Sequence, residues 1–152
     1  MRIGIGYDSH PFADGRRLVL GGVEIDHQRG LAGHSDADVL THAVCDAVLG
    51  AAGLGDLGQH FPADDERWRD AQSLDLLRTV VGMLPGRPVN ADATVVAEAP
   101  AIGPHRNEIE RNLSETLGAP VSVKATTNEG MGWVGRGEGI ACVAVAIVEL
   151  EL

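Results

Sequence analysis

Asp8 and His10 stand two residues apart in the run IGYDSHPF. In an extended chain, residues i and i+2 point to the same face, so this spacing presents a carboxylate and an imidazole together. Alone, this is a weak signal, since an Asp and a His at a strand end are more often a turn or a surface pair. His42 supplies a second imidazole. It lies four residues after Asp38 and four before Asp46 in the run HSDADVLTHAVCDAVLG, so a helix would put a carboxylate one turn away on either side. Such a carboxylate can hold the outer ring N–H and fix the tautomer that a metal-bound imidazole needs. One Asp and two His make a three-ligand set with a fourth position open, the form of a catalytic zinc centre rather than a structural one. Imidazole donors argue against a pure Mg²⁺ or Ca²⁺ cage.

Other segments carry chemistry suited to phosphate. Gly53-Leu54-Gly55-Asp56-Leu57-Gly58 reads as an irregular loop whose backbone approaches a ligand, or as a helix stop and turn; spacing does not choose. Lys124 to Glu129 ends in two hydroxyls, an amide and a carboxylate, and five glycines follow between Gly130 and Gly139. Beside Lys124 and Arg136 this resembles a backbone cradle for an anion; the plain alternative is a flexible connector. The order required of a P-loop is absent. Ala99 to His105 joins a strand to a helix N-terminus, which favours phosphate.

These residues need elements to hold them. Arg2 to His10 alternates as a strand, with Ile3, Ile5 and Tyr7 on one face and Gly4, Gly6, Asp8 and His10 on the other. Leu18–Leu20 and Val23–Ile25 flank Gly21-Gly22 as a hairpin. Ser35 is the expected N-cap of a helix carrying His42, with Gly53 as its stop. Ser73 is the expected cap of a second helix, and Pro104 opens a third that ends at Gly118. Val89 to Glu98 and Val121 to Ala125 read as strands. From Gly139 to Leu150 both faces are apolar, so that strand needs cover on both sides. Helices can cover one side of the sheet, and a further copy of the chain is the expected cover for the other. The expected class is α+β: a single layer of mixed sheet, about four main strands plus a small hairpin, with helices on one face.

The chain has 152 residues, 44% of them apolar and only 3% aromatic. One domain spanning 1–152 is expected, with an aliphatic core. Its net charge of -10 comes from 12 basic and 22 acidic residues, so no nucleic-acid partner is expected. An anionic ligand would then depend on metal rather than on a basic surface. Cys45 and Cys142 lie in apolar runs and read as buried reduced thiols. The N-terminal run lacks the apolar core of a signal peptide, and no apolar run reaches membrane-spanning length; a cytoplasmic protein with no membrane partner is expected.

Along nearly its whole length the sequence resembles the methylerythritol cyclodiphosphate synthase family of the non-mevalonate isoprenoid pathway. The residues that carry the likeness are IGIGYDSHPF at 3–12, LGGV at 20–23, the run from Gly30 to Pro62, and VKATTNEGMGWVGRGEGIACVAVA at 123–146. The resemblance implies metal-dependent cyclisation of 4-diphosphocytidyl-2-C-methyl-D-erythritol 2-phosphate with release of CMP. It implies a homotrimer with active sites between subunits. It implies Zn²⁺ on Asp8, His10 and His42, and a second ion, Mg²⁺ or Mn²⁺, held by Glu129 at the substrate diphosphate. His34 and Thr127 would stabilise the transition state. Ser35, Asp56, Leu57, Gly58, Phe61 and Asp65 would face the methylerythritol phosphate. Pro100, Ala101, Ile102, Gly103, Pro104 and His105, with Thr126 and Thr127, would line the cytidine diphosphate pocket of a neighbouring subunit, Asn128 would contact substrate, and Trp133 and Arg136 would lie near the ligand. The sequence departs from the family at Ala63, where an acidic residue is usual, at Ala101, commonly Lys, and at Asn128, frequently Thr. These positions bear on phosphate and nucleotide affinity and leave the three metal ligands intact. Two other readings fit the same residues: a zinc phosphohydrolase using water, and a non-catalytic diphosphate-binding trimer with Arg136 and Glu138 near its axis.

Overall fold

The alternating N-terminal run forms a long strand in the computed structural model, which describes residues 1–151. The elements follow in the order β1 (Arg2–Ala13), β2 (Leu18–Leu20), β3 (Val23–Ile25), β4 (Gly30–Leu31), α1 (Val39–Ala52) and α2 (Leu57–His60). Then come α3 (Ser73–Met83), β5 (Gly86–Val96), α4 (Arg106–Leu117), β6 (Val121–Thr126), α5 (Gly132–Gly135) and β7 (Gly139–Leu150). The main sheet has the order β4-β1-β7-β5-β6, and β2 and β3 form a separate hairpin. Among the described residues only β5 and β6 pair in parallel, with α4 as the crossover between them. The expected mixed α+β sheet with helices on one face is therefore present. No helix among the described residues is long and apolar enough to cross a membrane.

Helix α1 lies directly on β1, and two glycines make that possible. A Cβ on Gly4 would stand 2.0 Å from the Ala47 carbonyl oxygen, and one on Gly6 1.9 Å from that of Ala43. Any side chain there would lift the helix. Because Gly4, Gly6, Asp8 and His10 share one face, the same row that admits the helix presents the carboxylate and imidazole to its first turns. Leu40, Ala43, Val44, Ala47, Val48 and Ala51 are fully buried against the sheet and the other helices.

Helix starts differ from the expected ones. Asp38, not Ser35, caps α1: its carboxylate accepts the Thr41 N–H, and it also accepts from the N–H groups of Gly21 and Gly22. The hairpin turn thus sets the start of α1 at Asp38, three residues beyond Ser35. Ser73 is the first residue of α3 rather than its cap; Gln72 caps without a side-chain bond, and the Ser73 hydroxyl is drawn to Asp36. Pro104 opens a short 3-10 turn, Gly103–His105, before α4 starts at Arg106. Strand β5 begins at Gly86, earlier than Val89. Gly53 and Gly118 end their helices in the left-handed conformation, as expected.

The doubly apolar strand is covered on one side only within a single chain. Ile140, Cys142, Ala144, Ala146 and Val148 are buried beneath the helices. On the opposite face Ile3, Ile5 and Tyr7 are 72%, 68% and 56% exposed, and they pair in register with Ile147, Val145 and Val143. Apolar side chains thus stand together in water across two adjacent strands, an arrangement that marks a contact surface. Cys45 and Cys142 are free and buried, and burial pushes both thiols up.

Candidate active site

Asp8 and His10 project from β1 beneath the start of α1, where His42 comes down on them. The Asp8 Oδ2 lies 2.9 Å from His10 Nε2 and 3.1 Å from His42 Nδ1, and the two nitrogens are 3.3 Å apart. Donors held about 2.0–2.1 Å from a tetrahedral zinc stand about 3.3 Å from one another, so the three atoms already approximate one face of such a polyhedron. They form a site able to hold a divalent metal. The far side of each ring is also committed. His10 Nδ1 is 2.8 Å from the Ala32 carbonyl, which can only accept, so in the neutral ring the proton sits on Nδ1 and the Nε2 lone pair faces inward. The residue set therefore fits a metal in ligand type, spacing and lone-pair direction.

The electrostatics suit a cation. Burial alone would raise the Asp8 carboxyl, but hydrogen bonds and charge from His10 and His42 outweigh it and bring the group down to about 2. Burial alone would lower His10, but the hydrogen bond and charge of Asp8 and the Ala32 carbonyl raise it on balance.

The expected outer partners of His42 are not the ones in place. Asp38 is turned away, wholly buried, and receives Gly21 N, Gly22 N, Thr41 N and Thr41 Oγ1. Asp46 accepts the Leu57 N–H at 2.7 Å and so fixes the turn that carries Asp56 to Gly58. The outer nitrogen of His42 instead meets Ser73 Oγ at 2.7 Å and Ser35 Oγ at 3.2 Å. Helical spacing suggested i±4 carboxylates, whereas the partner comes from another helix, and spacing gave no sign of it.

Around this centre, Ser35 is buried beside His42, and His34 donates from Nε2 to the Asp65 carbonyl at 3.0 Å. Asp65 caps the 3-10 turn Glu66–Trp68, and its carboxylate is engaged by Arg67. Asp56 caps α2, so Gly53–Gly58 is part loop and part helical turn rather than wholly irregular. Phe61 is buried edge-on against Trp68.

A second group lies apart. Asp8 pairs with Cys142, Cys142 with Val95, and Val95 with Ala125. Asp8, within β1, and Thr126, at the end of β6, thus lie at about the same level of the sheet but three strand spacings apart, about 14 Å. Thr126, Thr127 and Glu129 are exposed there, as are Ala101, Gly103 and Pro104. Glu98, which sequence reasoning missed, orders this group by accepting the N–H groups of Asn128 and Gly130 at 3.2 and 3.0 Å. Its only signal was its place at the end of Val89 to Glu98, beside the parallel Thr126 terminus. The glycine-rich stretch is not an open cradle. The N–H groups of Gly135, Arg136, Gly137 and Glu138 are used within the turn of α5. Gly135 is glycine because a Cβ would meet the Gly130 backbone at 2.1 Å. Trp133 and Arg136 stay at the surface, with Arg136 paired to Glu138 at 2.6 Å.

Comparison with known proteins places this geometry. The model of the YgbB family matches residues 1–149. The 2-C-methyl-D-erythritol 2,4-cyclodiphosphate synthase of Symbiobacterium thermophilum is 60% identical over 97% of this chain and 98% of its own. A solved 2C-methyl-D-erythritol-2,4-cyclodiphosphate synthase with CDP bound superposes with a TM-score of 0.88 at 34% identity, covering 97% of this chain and all of that one. The bifunctional IspDF of Campylobacter jejuni gives a TM-score of 0.90 at 38% identity over 95% of this chain, which spans 41% of that longer one.

Proposed function

The chain belongs to the YgbB family, and on that premise we propose that it is a metal-dependent 2-C-methyl-D-erythritol 2,4-cyclodiphosphate synthase of isoprenoid precursor biosynthesis. It acts as a single catalytic domain, residues 1–152, assembled as a homotrimer in the cytoplasm. Its reaction closes 4-diphosphocytidyl-2-C-methyl-D-erythritol 2-phosphate into the cyclic 2,4-diphosphate and releases CMP. The observation that carries this reading is the convergence of Asp8, His10 and His42 with their donor atoms turned toward one point.

In the reaction an oxygen of the 2-phosphate attacks the β-phosphorus in line, the bond from that phosphorus to the bridging oxygen breaks, and CMP carries the oxygen away. The attacking phosphate is already anionic near neutral pH, so no strong base is needed, and catalysis reduces to positioning and charge stabilisation. Zn²⁺ on Asp8, His10 and His42, and Mg²⁺ or Mn²⁺ on Glu129, would supply fixed positive charge at the phosphates. His34 and Thr127 stabilise charge that develops in the transition state. The Ser35 hydroxyl, the Asp56 carboxylate and the backbone of Leu57 and Gly58 orient the methylerythritol phosphate, with Phe61 and Asp65 at the edge of that pocket. Pro100 to His105, with Thr126 and Asn128, receive the cytidine diphosphate, and Trp133 and Arg136 lie beside it. Closure of these groups excludes water, which would otherwise divert the reaction to hydrolysis.

Two features support the trimer. The bare face of β1 and β7 needs cover, and the Thr126–Glu129 group has no metal ligands beside it in its own chain. A neighbour docked on that face would bring its β1 edge to the β6 edge of this chain.

The test is ³¹P NMR of the products formed with zinc and magnesium. A cyclic diphosphate plus CMP is the expected result. Ring-opened phosphates would favour the phosphohydrolase instead, and no turnover with full metal loading would leave only a binding protein.

A further inference from the structure

We propose that Ser73 and Asp36 act as positioning residues that fix the tautomer of His42 and so preorganise the metal centre. The proposal rests on the reading of Asp8, His10 and His42 as metal ligands.

Ser73 is fully buried at the start of α3, and its hydroxyl oxygen lies 2.7 Å from His42 Nε2. That hydroxyl also donates to Asp36 Oδ1, while the Ser73 N–H donates to Asp36 Oδ2 at 2.9 Å. Asp36 Oδ1 accepts the Asp38 N–H as well, at 3.1 Å. A hydroxyl has one hydrogen, and here the carboxylate takes it. Toward His42 the serine can therefore only accept, so the neutral imidazole must carry its proton on Nε2. Nδ1 is then left with a free lone pair, facing Asp8 Oδ2 at 3.1 Å and His10 Nε2 at 3.3 Å.

Ser35 cannot do this alone. Its oxygen is 3.2 Å from the same nitrogen, but its own hydrogen is uncommitted, so it can face His42 as donor or acceptor. The fixed direction comes from Asp36. The result mirrors His10, whose outer N–H is held by the Ala32 carbonyl. Both imidazoles thus reach the centre by the nitrogen that a cation needs, and neither must change tautomer to bind. Asp36 precedes α1 and Ser73 opens α3, so the device also ties the active-site loop to a second helix.

The test uses the full-length protein with Ser73→Ala and Asp36→Asn. Asparagine keeps the size of the side chain. Its amide can donate to Ser73, which frees the hydroxyl to donate to Nε2 and favours the wrong tautomer. Two readouts are taken: zinc affinity by competition with a chromophoric chelator, and the His42 tautomer in metal-free protein by long-range ¹H–¹⁵N correlation. Wild type should show the Nε2–H form. Each variant should lose about 10- to 100-fold in zinc affinity, the usual effect of removing an outer partner, and should show mixed or reversed tautomers. A role confined to starting α3 would lower the unfolding temperature and move neither readout; that outcome overturns the proposal. If Ser73→Ala fails to fold, Asp36→Asn decides. If wild type itself takes up no zinc, the metal reading fails, and the tautomer spectra still judge this one.

Discussion

Substituting Gly6 by Ala should damage the metal centre more than the fold. Gly6 has no unusual backbone angle, so the methyl acts only by its volume. It would stand 1.9 Å from the Ala43 carbonyl oxygen and 2.7 Å from the Ala47 nitrogen, against an ordinary contact of 3.4 Å or more. Both are backbone atoms of α1, so the helix must retreat by about 1.5 Å, the difference between 3.4 and 1.9. Overpacking of this kind costs about 1–3 kcal/mol, and the stiffer unfolded chain returns about 0.4–1 kcal/mol. The net loss of about 1–2 kcal/mol lowers the melting temperature by roughly 2–8 °C at this size. His42 neighbours Ala43, and metal–ligand distances tolerate only about 0.2 Å. A reacting group displaced by about 1 Å can lose about 100-fold in rate, and that is the expected fall in turnover. Gly4→Ala meets the Ala47 oxygen at 2.0 Å, one helical turn farther from His42. It should cost the same stability but no more than about tenfold in rate. Melting curves, zinc titration and cyclisation rates on both variants separate the two effects. Wild-type zinc affinity in Gly6→Ala, or equal rate losses in the two variants, would refute the argument that these glycines gauge the site.

Asp38→Ala removes the cap of α1 and the acceptor of four donors; a loss of about 3 kcal/mol is expected from the cap and the stranded N–H groups, read by denaturant unfolding. Glu129→Gln should lower turnover sharply while leaving bound zinc unchanged by elemental analysis; parallel loss of both would mean that the two metal sites are not separate. For pH, Asp8 is depressed from 3.8 to about 2, so its contribution to metal-free stability is present above 3.8 and lost as pH falls through about 2. His10 is raised above 6.5, so its contribution is complete below 6.5 and lost as pH rises through the higher folded value. The metal-free protein should therefore melt higher near pH 5.5 than near pH 8.5, while zinc, competing with the His10 proton, should bind tighter at about pH 8 than at about pH 6; calorimetry and chelator competition check the two signs. Ile5→Asp charges the bare sheet face and should give monomers by light scattering with loss of cyclisation, and fully active monomers would count against an inter-subunit site.

The fold was largely legible because its signals are local. Alternation in Arg2–His10, the Gly21-Gly22 turn and the glycine stops at 53 and 118 each depend on a few adjacent residues. The metal triad's signals are D-x-H on a strand, which defines one face, and His42 at the edge of the apolar stripe of the helix that follows. Helix starts were less readable, because Ser35, Asp36 and Asp38 are all competent caps and a distant turn, Gly21-Gly22, decides among them. The support of His42 was not readable. Spacing pointed to Asp38 and Asp46, but Ser73 stands 31 residues away in sequence, and only tertiary packing brings its hydroxyl to the ring. The backbone cradle read as one option for Gly130–Gly139 was unreadable for the same cause: Gly135 and Gly139 answer close approaches of backbone to backbone, and Gly130, Gly132 and Gly137 take positive φ, neither of which composition distinguishes from a ligand site.

The residues for chemistry occupy opposite margins of one sheet, at the same end. On the proposed reading, a chain built this way owns two half-sites and no whole one. In the proposed trimer, making the quaternary structure and switching on catalysis become a single event, and simple dilution silences the protein without any inhibitor. Damage to one margin travels to a neighbour's chemistry, so a faulty copy spoils more than itself. Two copies hurt at different margins nonetheless keep one sound seam between them.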